Sequence, residues 1–229
     1  MTLKTLEERL FYTFKDISLL EHALTHSSYV NEHDLPREAC NERLEFLGDA
    51  VLETLVSRFL FTHFPEDSEG DLSRKRATLV CEEGLAGSAR ELLLGDFLML
   101  GKGAEKEGAR AKDSVLSDAF EAVLAALFLD GGEVPAKAVV DRHVLNNIEH
   151  KLIYNDAKTT LQEYAQRSGR VLVYELLSAE GPDHMKVFTS ACLLDGIRIS
   201  SGTGHSKKAS EQEAAKTAIK LLRSEGQCI

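Results

Sequence analysis

From residue 2 to about residue 149, apolar side chains recur three and four positions apart, between polar or glycine-bearing segments. That spacing matches the turn of an α-helix that buries one face. The clear interruptions are 33–38 with Pro36, 65–70, 101–112 and 130–135 with Pro135. The pattern predicts six or seven helices and no strand in this part of the chain.

Near residue 150 the pattern changes. Residues 150–155 read as a short linker, and 160–168 as a short helix ended by Gly169. Three strand-like runs follow at 172–178, 186–194 and 197–202. Asp195-Gly196, between the last two, signals a tight hairpin. A closing helix over 207–224 carries Ala214, Ala215, Ala218, Ile219 and Leu222 on its apolar side. Gly202 and Gly204 read as turn residues that place the start of that helix. The expected fold is an all-α N-terminal domain followed by a small α+β domain of order α-β-β-β-α, with both helices on one face of an antiparallel sheet.

Charge sharpens this division. The net charge of −10 argues at first against a nucleic-acid partner. The charge is uneven, however: residues 1–155 carry 17 basic and 28 acidic side chains, and 156–229 carry 10 and 9. Two units with different tasks are expected. The four cysteines, Cys40, Cys81, Cys192 and Cys228, form no CxxC pair and fit neither a disulfide framework nor a zinc site. The charged start, Met1 to Leu10, has no apolar leader core, and no stretch approaches a membrane span. A cytoplasmic protein without a membrane partner is expected.

The most informative run is Asn41-Glu42-Arg43-Leu44-Glu45-Phe46-Leu47-Gly48-Asp49-Ala50. At about 100° per residue, Glu42, Glu45 and Asp49 fall within about 60° of one another on a helix. Leu44, Leu47, Val51 and Leu55 lie on the other side, where they can anchor it. Such a face is either a solvated surface compensated by Arg43 or a site for a hard divalent cation, which prefers carboxylate oxygens. A second pair, Asp118 and Glu121, opens a helix whose residues 122–129 are all apolar. Carboxylates rarely enter such a helix without a partner or a metal, although acids at a helix start are also favoured by its dipole. Two acidic faces converging on one cation site is the sharper expectation.

At these residues the chain resembles the ribonuclease III family. Residues 41–49 read NERLEFLGD, the family's signature. Asp118-Ala119-Phe120-Glu121-Ala122 and Leu129-Asp130-Gly131-Gly132 resemble its second acidic motif, and 23–29 and 70–74 match further segments. The resemblance implies a catalytic domain at 3–132 with a helical extension to about 149, a linker at 150–155, and a double-stranded RNA-binding domain at 156–225. It implies Glu45, Asp118 and Glu121 as ligands of Mg²⁺, with Mn²⁺ as a plausible substitute, and Asp49 and Glu121 as catalytic residues. Glu42 is an additional acid of the site, and Phe46 an aromatic packed across a homodimer interface. The implied activity is hydrolysis of double-stranded RNA to 5′-phosphate ends with 3′ overhangs, in processing of ribosomal RNA precursors and some messenger and transfer RNAs. The clearest departure is a long loop, 33–40, before the signature.

The second half resembles a double-stranded RNA-binding domain through Lys158-Thr159-Thr160-Leu161-Gln162-Glu163, Gly181-Pro182-Asp183-His184 and Ser206-Lys207-Lys208-Ala209. The resemblance implies that Gln162 and Gln166 touch one minor groove, His184 the next, and Lys207 and Lys208 the phosphates between. Two lysines after a Ser206 N-cap oppose the helix dipole yet suit phosphate, unless Glu211 and Glu213 neutralise them. Lys112 reads as a solvated loop lysine or a phosphate contact, and Arg74-Lys75-Arg76 as an RNA contact or a solvated face. His22 and His26, four apart, read as structural histidines rather than metal ligands. Two rival functions are a non-catalytic double-stranded RNA-binding protein on a nuclease scaffold, and a phosphohydrolase of small molecules. The intact acid set opposes the first, and residues 156–225 oppose the second.

Overall fold

A computed structural model describes residues 2–155, 157–182 and 185–227. The chain divides into two compact units at 148/149. In the first, the helices are α1 (Leu3–Leu10), α2 (Ile17–Ala23), α3 (Ser27–Glu32), α4 (Glu42–His63), α5 (Glu69–Leu79), α6 (Glu82–Glu91), α7 (Lys102–Lys106), α8 (Asp113–Gly131) and α9 (Glu133–Val139). That exceeds the expected six or seven because α3 and α7 are six and five residues long, too short to show a periodic apolar face.

Helix α8 is the axis of this unit. Ala119, Phe120 and every residue from Ala122 to Leu127 are buried, as its unbroken apolar run requires. It packs most extensively on α4, and also on α6 and α2. Helix α4 buries Leu44, Val51, Leu52, Leu55 and Val56. Each buried leucine or valine contributes about 2 kcal/mol of transfer free energy.

The end of α8 anchors the start of the chain. Asp130 accepts hydrogen bonds from the Tyr12 hydroxyl at 2.7 Å and from the backbone N–H groups of Lys15 and Asp16, both at 2.9 Å. Burial pushes its carboxyl up, but these donors and the Lys15 charge outweigh it and hold Asp130 below the usual carboxylate range.

Helix α10 (Ile148–Asn155) occupies the stretch expected as a linker, so that stretch is helical. Ile153 packs against the core of the second unit. That unit continues with α11 (Ala157–Arg167), β1 (Leu172–Glu180), β2 (Val187–Leu194), β3 (Ile197–Gly204) and α12 (Lys207–Ser224). The strands form one antiparallel sheet in the order β1-β2-β3. Asp195 and Gly196 have φ of 53° and 79°, the two positive values of a tight hairpin turn. Leu161, Ala165, Cys192, Ala214, Ala218 and Ile219 form the core where both helices cover the sheet.

Gly202 and Gly204 are not turn residues. They lie in β3, and a Cβ on Gly202 would stand 2.2 Å from the backbone nitrogen of Ala214. Glycine is needed here because α12 lies directly on the strand. Among the described residues, no helix is long and apolar enough to cross a membrane.

Candidate functional site: an acidic cluster between two helices

The site forms where α4 crosses α8. A Cβ on Gly48 would stand 1.9 Å from the backbone oxygen of Glu121, so the two helix backbones touch at this point. Any other residue at 48 would hold the helices apart. Glu45 and Asp49 flank Gly48 on α4, and Asp118 and Glu121 lie one turn apart on α8. Contact at a single glycine therefore brings both acidic faces together. Ligand oxygens of Glu45, Asp118 and Glu121 lie within 4.8 Å of one another, all three side chains being half-buried.

The start of α4 is fixed by backbone bonds. Buried Asn41 donates its backbone N–H to Thr25 O at 2.9 Å and its side-chain amide to Ala23 O at 3.3 Å. Thr25 in turn bridges to Met99.

Crowding dominates the electrostatics. Burial, followed by the charges of Asp49, Glu45 and Asp118, pushes the Glu121 carboxyl up to about 8. Burial likewise raises Glu45, reinforced by Asp118, Glu42 and Asp49. Asp118 is raised by burial and by Glu82, against a 3.4 Å hydrogen bond from the Ser117 hydroxyl and the pull of His26. Three half-buried carboxylates that resist ionisation together form a site for a compensating cation. The all-oxygen donor set fits a hard divalent ion.

Asp49 is exposed beside the cluster, and its charge acts on both Glu45 and Glu121. Glu42 is exposed at the start of α4 and pairs with Arg37 at 3.6 Å. Phe46 projects into solvent at 79% exposure, a large apolar side chain left uncovered next to two acids. Lys112 pairs with Glu107 at 3.6 Å. Lys75 pairs with Asp67, Arg74 lies 3.5 Å from Asp71, and Arg76 donates to the Ser57 hydroxyl at 2.9 Å. The two histidines bond to backbone: His22 Nε2 lies 2.9 Å from Cys40 O, and His26 caps α3. Burial holds His26 below the usual histidine range, although Asp118 and Glu42 pull it up.

The sequence reading missed three contributors. Gly48 carried no chemical signal, because its role appears only with α8 in place. Glu82 stands in the first turn of α6 and its charge acts on Asp118, and His26, besides capping α3, feels the charges of Asp118 and Glu42.

In the second unit, Gln162 and Gln166 are exposed one turn apart on α11. Lys207 and Lys208 are exposed in the first turn of α12, after Ser206, whose hydroxyl accepts the Ala209 N–H at 3.1 Å. Glu211 does not neutralise those lysines through an ion pair of its own helix. It pairs with Lys158 of α11 at 2.5 Å, and Glu213 pairs with Lys216 at 2.8 Å. The Lys158–Glu211 pair ties the two helices together. His184 lies outside the described residues.

A helical unit with a carboxylate cluster for a hard cation, joined to an α-β-β-β-α module with lysines at a helix start, defines a two-part protein of metal and nucleic-acid chemistry. A sequence profile described as Ribonuclease-III-like matches residues 16–148, and one described as Double-stranded RNA binding motif matches 157–222. The chain is 47% identical over 228 residues to Ribonuclease 3 of Streptococcus mutans, covering 96% of this chain and 99% of that protein. It is 50% identical over 225 residues to Ribonuclease 3 of Oleidesulfovibrio alaskensis, covering 96% and 97%. A solved nuclease domain of ribonuclease III from Campylobacter jejuni, described for flexibility in a region involved in dimer formation, superposes with a TM-score of 0.59. It shares 45% identity and covers 64% of this chain and 98% of that one. The chain belongs to the ribonuclease III family.

Proposed function

We propose that this protein is a divalent-cation-dependent endonuclease that hydrolyses double-stranded RNA to 5′-phosphate ends with 3′ overhangs. The observation that carries the reading is the meeting of Glu45, Asp118 and Glu121, from two helices, within 4.8 Å. In this reading these three side chains hold Mg²⁺, or Mn²⁺ in its place. The ion supplies charge neutralisation at the phosphate and activation of the attacking water. Glu121 and Asp49 are the catalytic residues: Glu121, ionised when it holds the ion, would keep that ion at the reacting phosphate, and Asp49 adds negative charge at the exposed rim. Glu42 is a further acid at the mouth of the site.

The second unit supplies the grip. Gln162, Gln166 and His184 read successive minor grooves, while Lys207 and Lys208 hold the phosphates between them. Overall acidity does not oppose this, since the excess negative charge lies in the nuclease unit. Exposed Phe46 packs against a second copy in a homodimer, in which two acid clusters cut the two strands. The cellular role is processing of ribosomal RNA precursors and some messenger and transfer RNAs in the cytoplasm.

Cleavage of a long RNA duplex by the Glu121→Ala variant tests this reading. Cutting should be lost in Mg²⁺ while duplex binding persists; cutting at the parent rate overturns the assignment.

A further inference from the structure

The start of α12 carries a conflict in its own sequence. Glu211 lies four residues after Lys207 and three after Lys208, so the three share one face of the helix. On that face the acid would pair with a lysine and cancel charge where an RNA phosphate has to be held. Glu213 lies on another side of the helix and pairs with Lys216.

The conflict is settled from a different helix. Lys158, in the first turn of α11, reaches Glu211 at 2.5 Å. Its Nζ also sits 5.0 Å from the centre of the Tyr174 ring of β1, and its backbone N–H donates to Gln212 Oε1 at 3.3 Å. Ring, backbone and carboxylate together fix one place for this ammonium. The Glu211 side chain is only 12% exposed in the pair, so solvent and salt screen it less than they would a pair on the open surface of α12. A lysine placed before its acid is also the weaker orientation within a helix. The cross-helix pair therefore prevails, and among the described residues neither Lys207 nor Lys208 has an ion pair.

We propose that Lys158 is a positioning residue for RNA binding: by holding Glu211 against α11, it keeps that carboxylate off Lys207 and Lys208 and leaves their charges to RNA phosphates. This rests on the reading of those two lysines as phosphate contacts given above.

Binding of an RNA duplex, followed by anisotropy in chelator so that no cutting intervenes, tests the role. Methionine at 158 keeps an unbranched stem over Tyr174 and removes the charge. Lys158→Met should weaken binding about 3- to 10-fold at low salt and flatten the log–log salt slope by up to about one unit, as one lysine is lost to Glu211. Glu211→Gln should bind at least as tightly as the parent, and adding it to Lys158→Met should restore the parent's affinity and slope. Lys207→Gln together with Lys208→Gln should cost less affinity in the Lys158→Met background than in the parent, because one of the two is already occupied there. A pair that only ties the helices together predicts instead that Lys158→Met and Glu211→Gln weaken binding alike, with lowered melting and no rescue in the double variant. That result overturns the proposal, as does parent-like binding by Lys158→Met. An equal cost of the two lysine substitutions in both backgrounds, which a general loss of positive charge would give, overturns it too. If those two substitutions leave duplex binding by the parent unchanged, the phosphate reading of Lys207 and Lys208 fails, and this inference with it.

Discussion

Replacing Glu121 with glutamine removes one charge from the cluster while keeping the side chain's shape. In the metal-free protein the Glu121 carboxyl is held up to about 8, against 4.5 in the unfolded chain. Between those values the folded state keeps a proton that the unfolded state has lost. Stability therefore falls as pH rises through that window and levels off above it. Glutamine does not ionise, so the variant escapes the loss. The advantage is nil below about pH 4.5 and complete above about pH 8, where it is on the order of 4 kcal/mol. A unit of this size shifts by about 2–4 °C per kcal/mol, so the variant should melt roughly 10 °C higher at pH 9 in chelator, and by less than half that margin at pH 6. The assay is calorimetric unfolding, following the transition that moves when Mg²⁺ is added to the parent. Added Mg²⁺ should stabilise the parent strongly and the variant little, which closes or reverses the gap. A variant that melts below the parent at pH 9 in chelator, or a gap independent of pH, would refute the electrostatic reasoning.

Other changes test other links. Gly48→Ala drives a Cβ against the Glu121 carbonyl, so it should cost about 3 kcal/mol or more and abolish Mn²⁺ protection against unfolding; parent-like melting would show that the helices do not need to touch. Asp130→Asn weakens three hydrogen bonds to the N-terminal segment and should cost about 1–3 kcal/mol. Because the Asp130 carboxyl is held low, the parent's advantage is complete above the ordinary aspartate range and is lost as pH falls from that range through the lower folded-state value, so acid titration of the two melting curves should converge. Lys207→Gln and Lys208→Gln should each flatten the salt dependence of duplex binding by about one unit of log–log slope, as measured by anisotropy; an unchanged slope would remove that lysine from the phosphate contacts.

Much of this was legible in the sequence because periodicity and spacing act locally. The acids of α4 and α8 announce themselves at helical spacing against apolar runs, and the α-β-β-β-α order follows from alternation, one Asp-Gly turn and a capped final helix. What stayed hidden depends on partners distant in sequence. Gly48 and Gly202 look like ordinary glycines until the backbones of Glu121 and Ala214 lie against them. Glu82 and His26 join the acids only through folding of α6 and of the Thr25–Met99 bridge. Helix α10 is short, and its polar residues masked the packing of Ile153, so it read as a linker.

The most direct test is anomalous diffraction from crystals of the protein grown with Mn²⁺. A manganese peak bonded to carboxylate oxygens of Glu45, Asp118 and Glu121 is the predicted result. A peak held by other residues, with these three carboxylates unligated, would contradict the account.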